Sequence, residues 1–534
     1  RRVCCAIGPM PELRDCGPGA RWQNGRPMKI TPATRLEWLA ALGAALTAGL
    51  LQAVFAPLEW TACAWVALVP LLVVARLVPG RLALKMGFVA GGLFWLISIR
   101  WLTQVTVLGW VALSAYCALY FLPPVLVANR WRGGGGSFAI AVAVAWSASE
   151  FIRGWLGTGF PWNPLGAGLA PWLPGIQLAE IGGVWLVSGL VVAVNALLAW
   201  ALVEQRHWRS LALGALLVAA ALGWGQWRVH HLPTPARHIR VALVQTAIPQ
   251  DEKWVAAKIR MIYDRLITLT RQAQGDPDVE LVIWPETALP DDVRNSEASY
   301  TVVWSLCTNG TSILTGTLDT AVLDDGTEQY FNSVFLFDTE GRIVGEYDKR
   351  HLVLGGEVIP LERWIPDRWM LALGLPTSIT AGKDGAVFTA GRQQVPLAPL
   401  VCFEDILPHL ARADVRAGAR ALVNVTNDAW FDDVIAPRQH MRNAVLRAVE
   451  NRVPLIRAAN TGVSGVIEPS GAVAAMLSDG AGGTAGAGVL WADVAVPDPT
   501  APLTCYARFG DMYAFACLAA TGLWLLAAWR ESRT

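Results

Sequence analysis

The sequence predicts a polytopic α-helical membrane protein with an α/β domain inserted ahead of its last membrane helix. Three observations carry this. Of 534 residues, 54% are hydrophobic, 16% are charged and 26 are tryptophan, a balance outside the usual range of soluble globular chains. Apolar runs long enough to cross about 30 Å of hydrocarbon dominate the chain up to Arg228. From about residue 238 to 500 the composition turns ordinary, with most of the acids and with alternating strand patterns.

Residues 1–36 are rich in Gly, Pro and Arg, show no helix or strand period and contain no apolar core of a signal peptide. They read as a disordered segment or as sequence upstream of a start at Met28. A seven-helix membrane domain is expected over 37–228, from runs at 37–56, 60–78, 84–106, 108–129, 136–156, 175–203 and 209–227. An eighth helix is expected at 511–529. Lys29 and Arg35, Arg76 and Arg81, Arg130 and Arg132, Arg206 and Arg209, and Arg530 all fall in alternate loops or ends, which places them on the cytoplasmic side. The α/β domain, entered after an odd number of crossings, then faces outward.

Within that domain, 239–247 reads as a strand, 251–274 as an amphipathic helix and 279–290 as a buried strand ending in a turn. "TSILTGTLD" follows, then a hairpin turning at Glu340-Gly341, a strand into Cys402, the helix "ILPHLARADVRAGA" and the strand "ALVNVTNDAWF". Strands alternating with helices predict sheets covered by helices, with sites gathered at strand ends.

A formal net charge of +1 and the lack of Lys/Arg-rich runs exclude nucleic acid as a partner. The nine cysteines form no CxxC pair and the seven histidines no HExxH, so neither a metal nor another cofactor is expected.

Three strand ends carry chemistry. Glu286 follows "VIWP", Lys349 ends "GRIVGEYDK", and Cys402 ends the apolar "APLV". Taken singly, the cysteine reads as core packing, the glutamate as a cap and the lysine as a solvated strand end. Together they supply a nucleophile, a base to take the thiol proton, and a cation for an oxyanion, which the backbone N–H of Phe403 would share. Glu357, in the Gly-rich loop after the lysine, is a candidate second acid.

"VIWPETA", "YDKRHLV" and "VCFED" resemble the Glu-Lys-Cys motifs of the nitrilase (carbon–nitrogen hydrolase) superfamily, which implies an αββα sandwich with Cys402 as nucleophile, Glu286 as base and Lys349 as oxyanion stabiliser. Set between membrane helices, the domain resembles the apolipoprotein N-acyltransferase family. That resemblance places Trp254 on an entrance arm, Asn427 and Trp430 near the pocket, Phe160 and Trp162 on an outward loop, and Glu357, Phe403 and Glu404 on the lid or substrate-binding surface. The loop after Lys349 departs from the family pattern at Leu354, Gly355 and Val358.

The resemblance implies transfer of an acyl chain, expected from the sn-1 position of phosphatidylethanolamine, through a Cys402 thioester to the N-terminal amine of a diacylated apolipoprotein. It implies a bacterial inner membrane with the catalytic domain in the periplasm. A membrane-tethered amidase of the same superfamily, or a non-catalytic membrane scaffold, remains the alternative reading of the residues alone.

Overall fold

In hydrocarbon the backbone has no partner but itself, so the apolar runs fold as helices. In a computed structural model describing residues 32–204, 207–307, 310–359, 378–431, 434–477 and 486–531, seven helices among the described residues are long and apolar enough to cross a membrane. They are Thr34–Val54, Gly80–Ser98, Val107–Arg130, Gly135–Arg153, Ala179–Val203, Trp208–His230 and Met512–Glu531. The reading of residues 1–31 lies outside the described residues.

The run expected at 60–78 forms a shorter apolar helix, Thr61–Leu77, which opens as a 3-10 turn and becomes α-helical only at Val69. Polar side chains satisfy the break. Asn195 accepts from Leu68 N (2.8 Å) and donates to Ala64 O (2.9 Å), and the Thr47 hydroxyl accepts from Leu71 N (3.0 Å).

The α/β domain holds two six-stranded sheets. The first uses β1 (Pro235–Gln245), β2 (Leu281–Ile283), β3 (Ser312–Val322), β4 (Glu328–Phe337) and β5 (Ile343–Asp348). The second uses β6 (Phe388–Ala390), β7 (Val395–Val401), β8 (Ala421–Thr426), β9 (Leu455–Ala459), β10 (Gly465–Ile467) and β11 (Val473–Met476). The last strand, β12 (Gly488–Pro497), returns to the first sheet, giving the orders β12-β1-β2-β3-β4-β5 and β11-β10-β9-β8-β7-β6. Strands β1 to β3 run parallel, as do β7 to β9.

Alternation decides the layers. Val241, Leu243 and Ile283 meet Val401, Val423 and Ile456 between the sheets. Val282 and Trp284 point the other way, onto the helix Ile259–Ala273. On the far side of the second sheet, Leu400, Leu422 and the helix Ile435–Asn451 belong to one continuous apolar core with the membrane helices. The amphipathic helix expected over 251–274 is divided into a turn at Gln250–Lys253, a short 3-10 segment and Ile259–Ala273.

The helix Ile435–Asn451 seats the domain on the membrane part. Arg438 and Arg442 pair with Glu59 (2.8 and 2.6 Å), and Gln439 accepts from the indoles of Trp101 and Trp162 (3.2 and 2.8 Å). Asn443 accepts from Asn163 N (3.1 Å). Farther along, the membrane helix Ala179–Val203 kinks at Gly182 and Gly183, where Gly183 has φ +69° and any Cβ would meet the Tyr506 ring at 2.7 Å. The Glu450 carboxylate accepts from Val184 N at this kink (2.9 Å) and from Arg447 (2.8 Å). The basic residue Arg76 lies at the opposite end, donating to Trp131 O and pairing with Glu204.

Arg447 also donates to Ile406 O (2.8 Å), so its removal strands a buried acid and a carbonyl together. Arg447→Met is expected to destabilise the folded protein in detergent by about 3 kcal/mol, and Arg447→Met with Glu450→Gln, whose amide oxygen still accepts from Val184 N, to recover much of the loss. Thermal or denaturant unfolding of the two variants checks this; equal losses would contradict the pairing.

Candidate active site

Parallel strands end on one side of each sheet, and their final residues turn into the gap where the two sheets meet the loops. Glu286 follows β2 through Trp284-Pro285, Lys349 follows β5, and Cys402 follows β7. Gly316 of β3 lies so close to the Glu286 turn that a Cβ there would sit 2.7 Å from Glu286 Cα. Cys402 itself has φ +54°, a left-handed conformation that a non-glycine residue adopts at a cost of about 1–3 kcal/mol. The sharp turn is held by Asn424, whose amide donates to Cys402 O (2.9 Å).

Lys349 is the centre of the charge arrangement, 1% exposed, with Nζ 2.7 Å from Glu357 Oε1 and 3.7 Å from Glu286 Oε1. Burial works against its charge, yet the two carboxylates outweigh burial and hold the ammonium above ordinary lysine. Burial would raise Glu357, but Lys349, with Val353 N (2.9 Å) and Asn332 (3.1 Å), holds it below the usual carboxylate value. The Asn332 amide divides its two hydrogens between Glu286 (2.8 Å) and Glu357. Cys402 is pushed far the other way, by burial first and then by Glu286, so its thiol stays protonated until a base takes the proton.

Glu404 lies beneath the site rather than on a lid. Fully buried, it accepts from Val401 N (2.8 Å), Arg350 N (2.7 Å), His351 N (2.9 Å) and the Tyr347 hydroxyl (2.6 Å). It thereby clamps the turn after Cys402 to the strand end that carries Lys349.

The remaining sequence-chosen residues line the approaches. Phe403 stacks on Phe160 (6.1 Å) and Trp162 (6.2 Å), so a loop of the membrane part packs directly on the residue after the cysteine. Asn427 is buried and donates to Gln250 Oε1 (2.9 Å), tying the end of β8 to the turn before Trp254. Trp254 and Trp430 are 49% and 51% exposed. A cleft of about 1050 Å³ opens nearby, between Arg100–Gln104 of the membrane part and Gln250, Asp251, Asp428 and Phe431.

Sequence reasoning missed Lys253, Asn332 and a buried ionic cluster. Lys253 sits in the stretch read as the start of an amphipathic helix, where charges are normally solvated; nothing in "QDEKW" separates a buried lysine from an exposed one. The cluster is His440, between Asp405 (2.9 Å) and Asp428 (3.0 Å), with Arg457 on the same two carboxylates. Its members come from four separate elements, so no spacing rule could collect them.

Fold and site geometry together define a class: a polytopic membrane protein carrying a carbon–nitrogen-hydrolase-type αββα sandwich. The chain matches the carbon–nitrogen hydrolase family over residues 240–497 and the apolipoprotein N-acyltransferase N-terminal domain over 47–197. It is 34% identical over 496 residues to an apolipoprotein N-acyltransferase of Geobacter metallireducens, covering 88% of this chain and 91% of that one. A second, from Agrobacterium fabrum, is 34% identical over 412 residues, 74% and 76% of the two chains. Among solved structures, an amidase of the nitrilase superfamily from Nesterenkonia AN1 is 20% identical, with a TM-score of 0.38 over 52% of this chain and 96% of that one. The chain belongs to the apolipoprotein N-acyltransferase family.

Burial and Arg457 push His440 down, but Asp405 and Asp428 prevail and raise it to about 9 from an ordinary 6.5. A raised histidine stabilises the fold fully below 6.5 and loses that contribution as pH rises through about 9. The swing is on the order of 3 kcal/mol. His440→Gln is expected to flatten the pH dependence of unfolding across that window; an unchanged slope would contradict the assignment.

Proposed function

We propose that the chain acylates the N-terminal amine of diacylglyceryl-cysteine lipoproteins, taking the acyl chain from a membrane phospholipid through a thioester on Cys402. As a member of its family the protein is an N-acyltransferase. The observation that carries the reading of donor and route is the seam at the nucleophile turn, where Phe160 and Trp162 of the membrane part stack on Phe403. A thiol at that seam is reachable by a lipid-borne ester and by a lipid-borne amine without either leaving the bilayer. Three loops around the site also carry half-exposed apolar side chains, Trp254, Leu354 and Trp430, suited to contact with acyl chains.

In the first half-reaction Glu286 takes the thiol proton as Cys402 Sγ attacks the sn-1 ester carbonyl of phosphatidylethanolamine. Lys349 and the Phe403 N–H stabilise the oxyanion, and Glu286 returns the proton to the departing lysophospholipid oxygen. In the second, the lipoprotein amine attacks the thioester, Glu286 accepts a proton from nitrogen and gives it to sulfur, and the amide leaves. The rings of Phe160 and Trp162 packed on Phe403 shield the turn of the thiol and disfavour water as competing acceptor. The α/β domain lies at the end of the bundle away from Arg76, which supports a periplasmic domain on the inner membrane.

Intact mass spectrometry after incubation with phosphatidylethanolamine should find a hydroxylamine-sensitive acyl adduct on the wild type, none on Cys402→Ala, and a rate at least about 100-fold lower for Glu286→Gln. A diacylated lipopeptide should discharge the adduct. No adduct on the folded wild type would remove the phospholipid donor.

A further inference from the structure

Lys253 is a buried cation for which the mechanism above has no use. It is 4% exposed and lies one residue before the exposed Trp254, with Nζ 5.9 Å from the indole centroid. Its ammonium donates to Glu286 O (3.1 Å) and to the Thr287 hydroxyl (2.5 Å). Thr287 has φ +43°, so the peptide carrying the general base enters a left-handed turn at the point where Lys253 grips it. The same arm is tied to β8 through Gln250 and Asn427.

Lys253 is a second buried cation beside this site. Glu286 and Glu357 set two carboxylates against the single ammonium of Lys349, with Lys349 and Glu286 buried and the Glu357 side chain 14% exposed. Acylation moves the thiol proton onto Glu286 and creates an oxyanion, so the site again carries two negative charges against Lys349. Low-dielectric surroundings make an uncompensated charge there expensive. We propose that Lys253 is a positioning residue of the acyl-transfer site, pinning the Glu286 turn to the entrance arm and supplying a second cation beside Glu286. This rests on Cys402 and Glu286 acting as nucleophile and base.

The groups that face Lys253 are Glu286 and Cys402; on its own turn, Asp251 is exposed and Glu252 pairs with Lys258 (3.1 Å). Burial lowers Lys253 to about 8, against the opposite pull of Glu286 and Cys402. Its charge is therefore present below about 8 and lost above, which gives the acylation step an alkaline limb.

The test reads that step alone, as Cys402 acylation of the full-length detergent-solubilised protein by p-nitrophenyl butyrate between about pH 6 and 9.5, followed by intact mass. An activated ester keeps the outcome separate from the identity of the natural donor, and Cys402→Ala separately tests the nucleophile. The wild-type rate is expected to fall above about pH 8. Lys253→Met is expected to be about tenfold slower or more, with the limb abolished and KM for the ester little changed. Wild-type rate and limb in Lys253→Met would overturn the proposal, as would a slowed variant that keeps the limb, since that assigns Lys253 to packing only. Should Lys253→Met fail to fold, a wild-type profile without any limb overturns it.

Discussion

A buried ammonium held between two carboxylates is the constraint around which this site is built. Lys349 is sealed from water and cannot remain charged there alone; Glu357 at 2.7 Å and Glu286 at 3.7 Å make the charged state the stable one. Burial first, and then Glu286, make ionising Cys402 unfavourable, so the thiol keeps its proton in the resting site. Asn332 spaces the two acids, and Glu404 fixes the strand end of Lys349 to the turn of Cys402. Replacing any of these leaves buried charge or backbone without a partner, which explains why so many polar atoms serve so small a region.

The second dependence is between the domains. The helix Ile435–Asn451 is at once the outer layer of the second sheet and part of the membrane core. Glu450 caps a kink in a membrane helix, Gln439 takes two indole donors from membrane loops, and His440, one residue on, joins the ionic cluster behind the nucleophile turn. The thiol is thus positioned relative to the bilayer by the same helix that positions it relative to its own sheet. The exposed Trp254 and Trp430 sit at the periphery of that frame.

Much of this was legible in the sequence because the signals are local. Apolar length marks the helices, largely apolar runs mark β7 and β8, and Lys349 and Cys402 stand directly after strands, with Glu286 separated from β2 by Trp284 and Pro285. What was not legible depends on contacts between distant segments. The run at 60–78 is long and apolar, but Asn195, well over one hundred residues away, satisfies its broken backbone and lets it shorten. Lys253 looks like any solvated helix charge until the Glu286 turn folds against it. Glu404, two residues from Cys402, is placed by the family resemblance on the lid or substrate-binding surface, whereas it is buried by the Val401 N–H and three donors from the strand end of Lys349.

With its own thiol held protonated, Cys402 is proposed to act only through a neighbouring base. It is tested by the rate of Cys402 acylation by p-nitrophenyl acetate at neutral pH, followed by peptide mass spectrometry, in folded wild type, Glu286→Gln and Lys349→Met. Loss of the base and loss of the oxyanion cation are each expected to slow acylation by about 100-fold, while unfolded samples react alike. Equal rates in the three folded proteins would mean that the thiol is acylated without Glu286, and would contradict it.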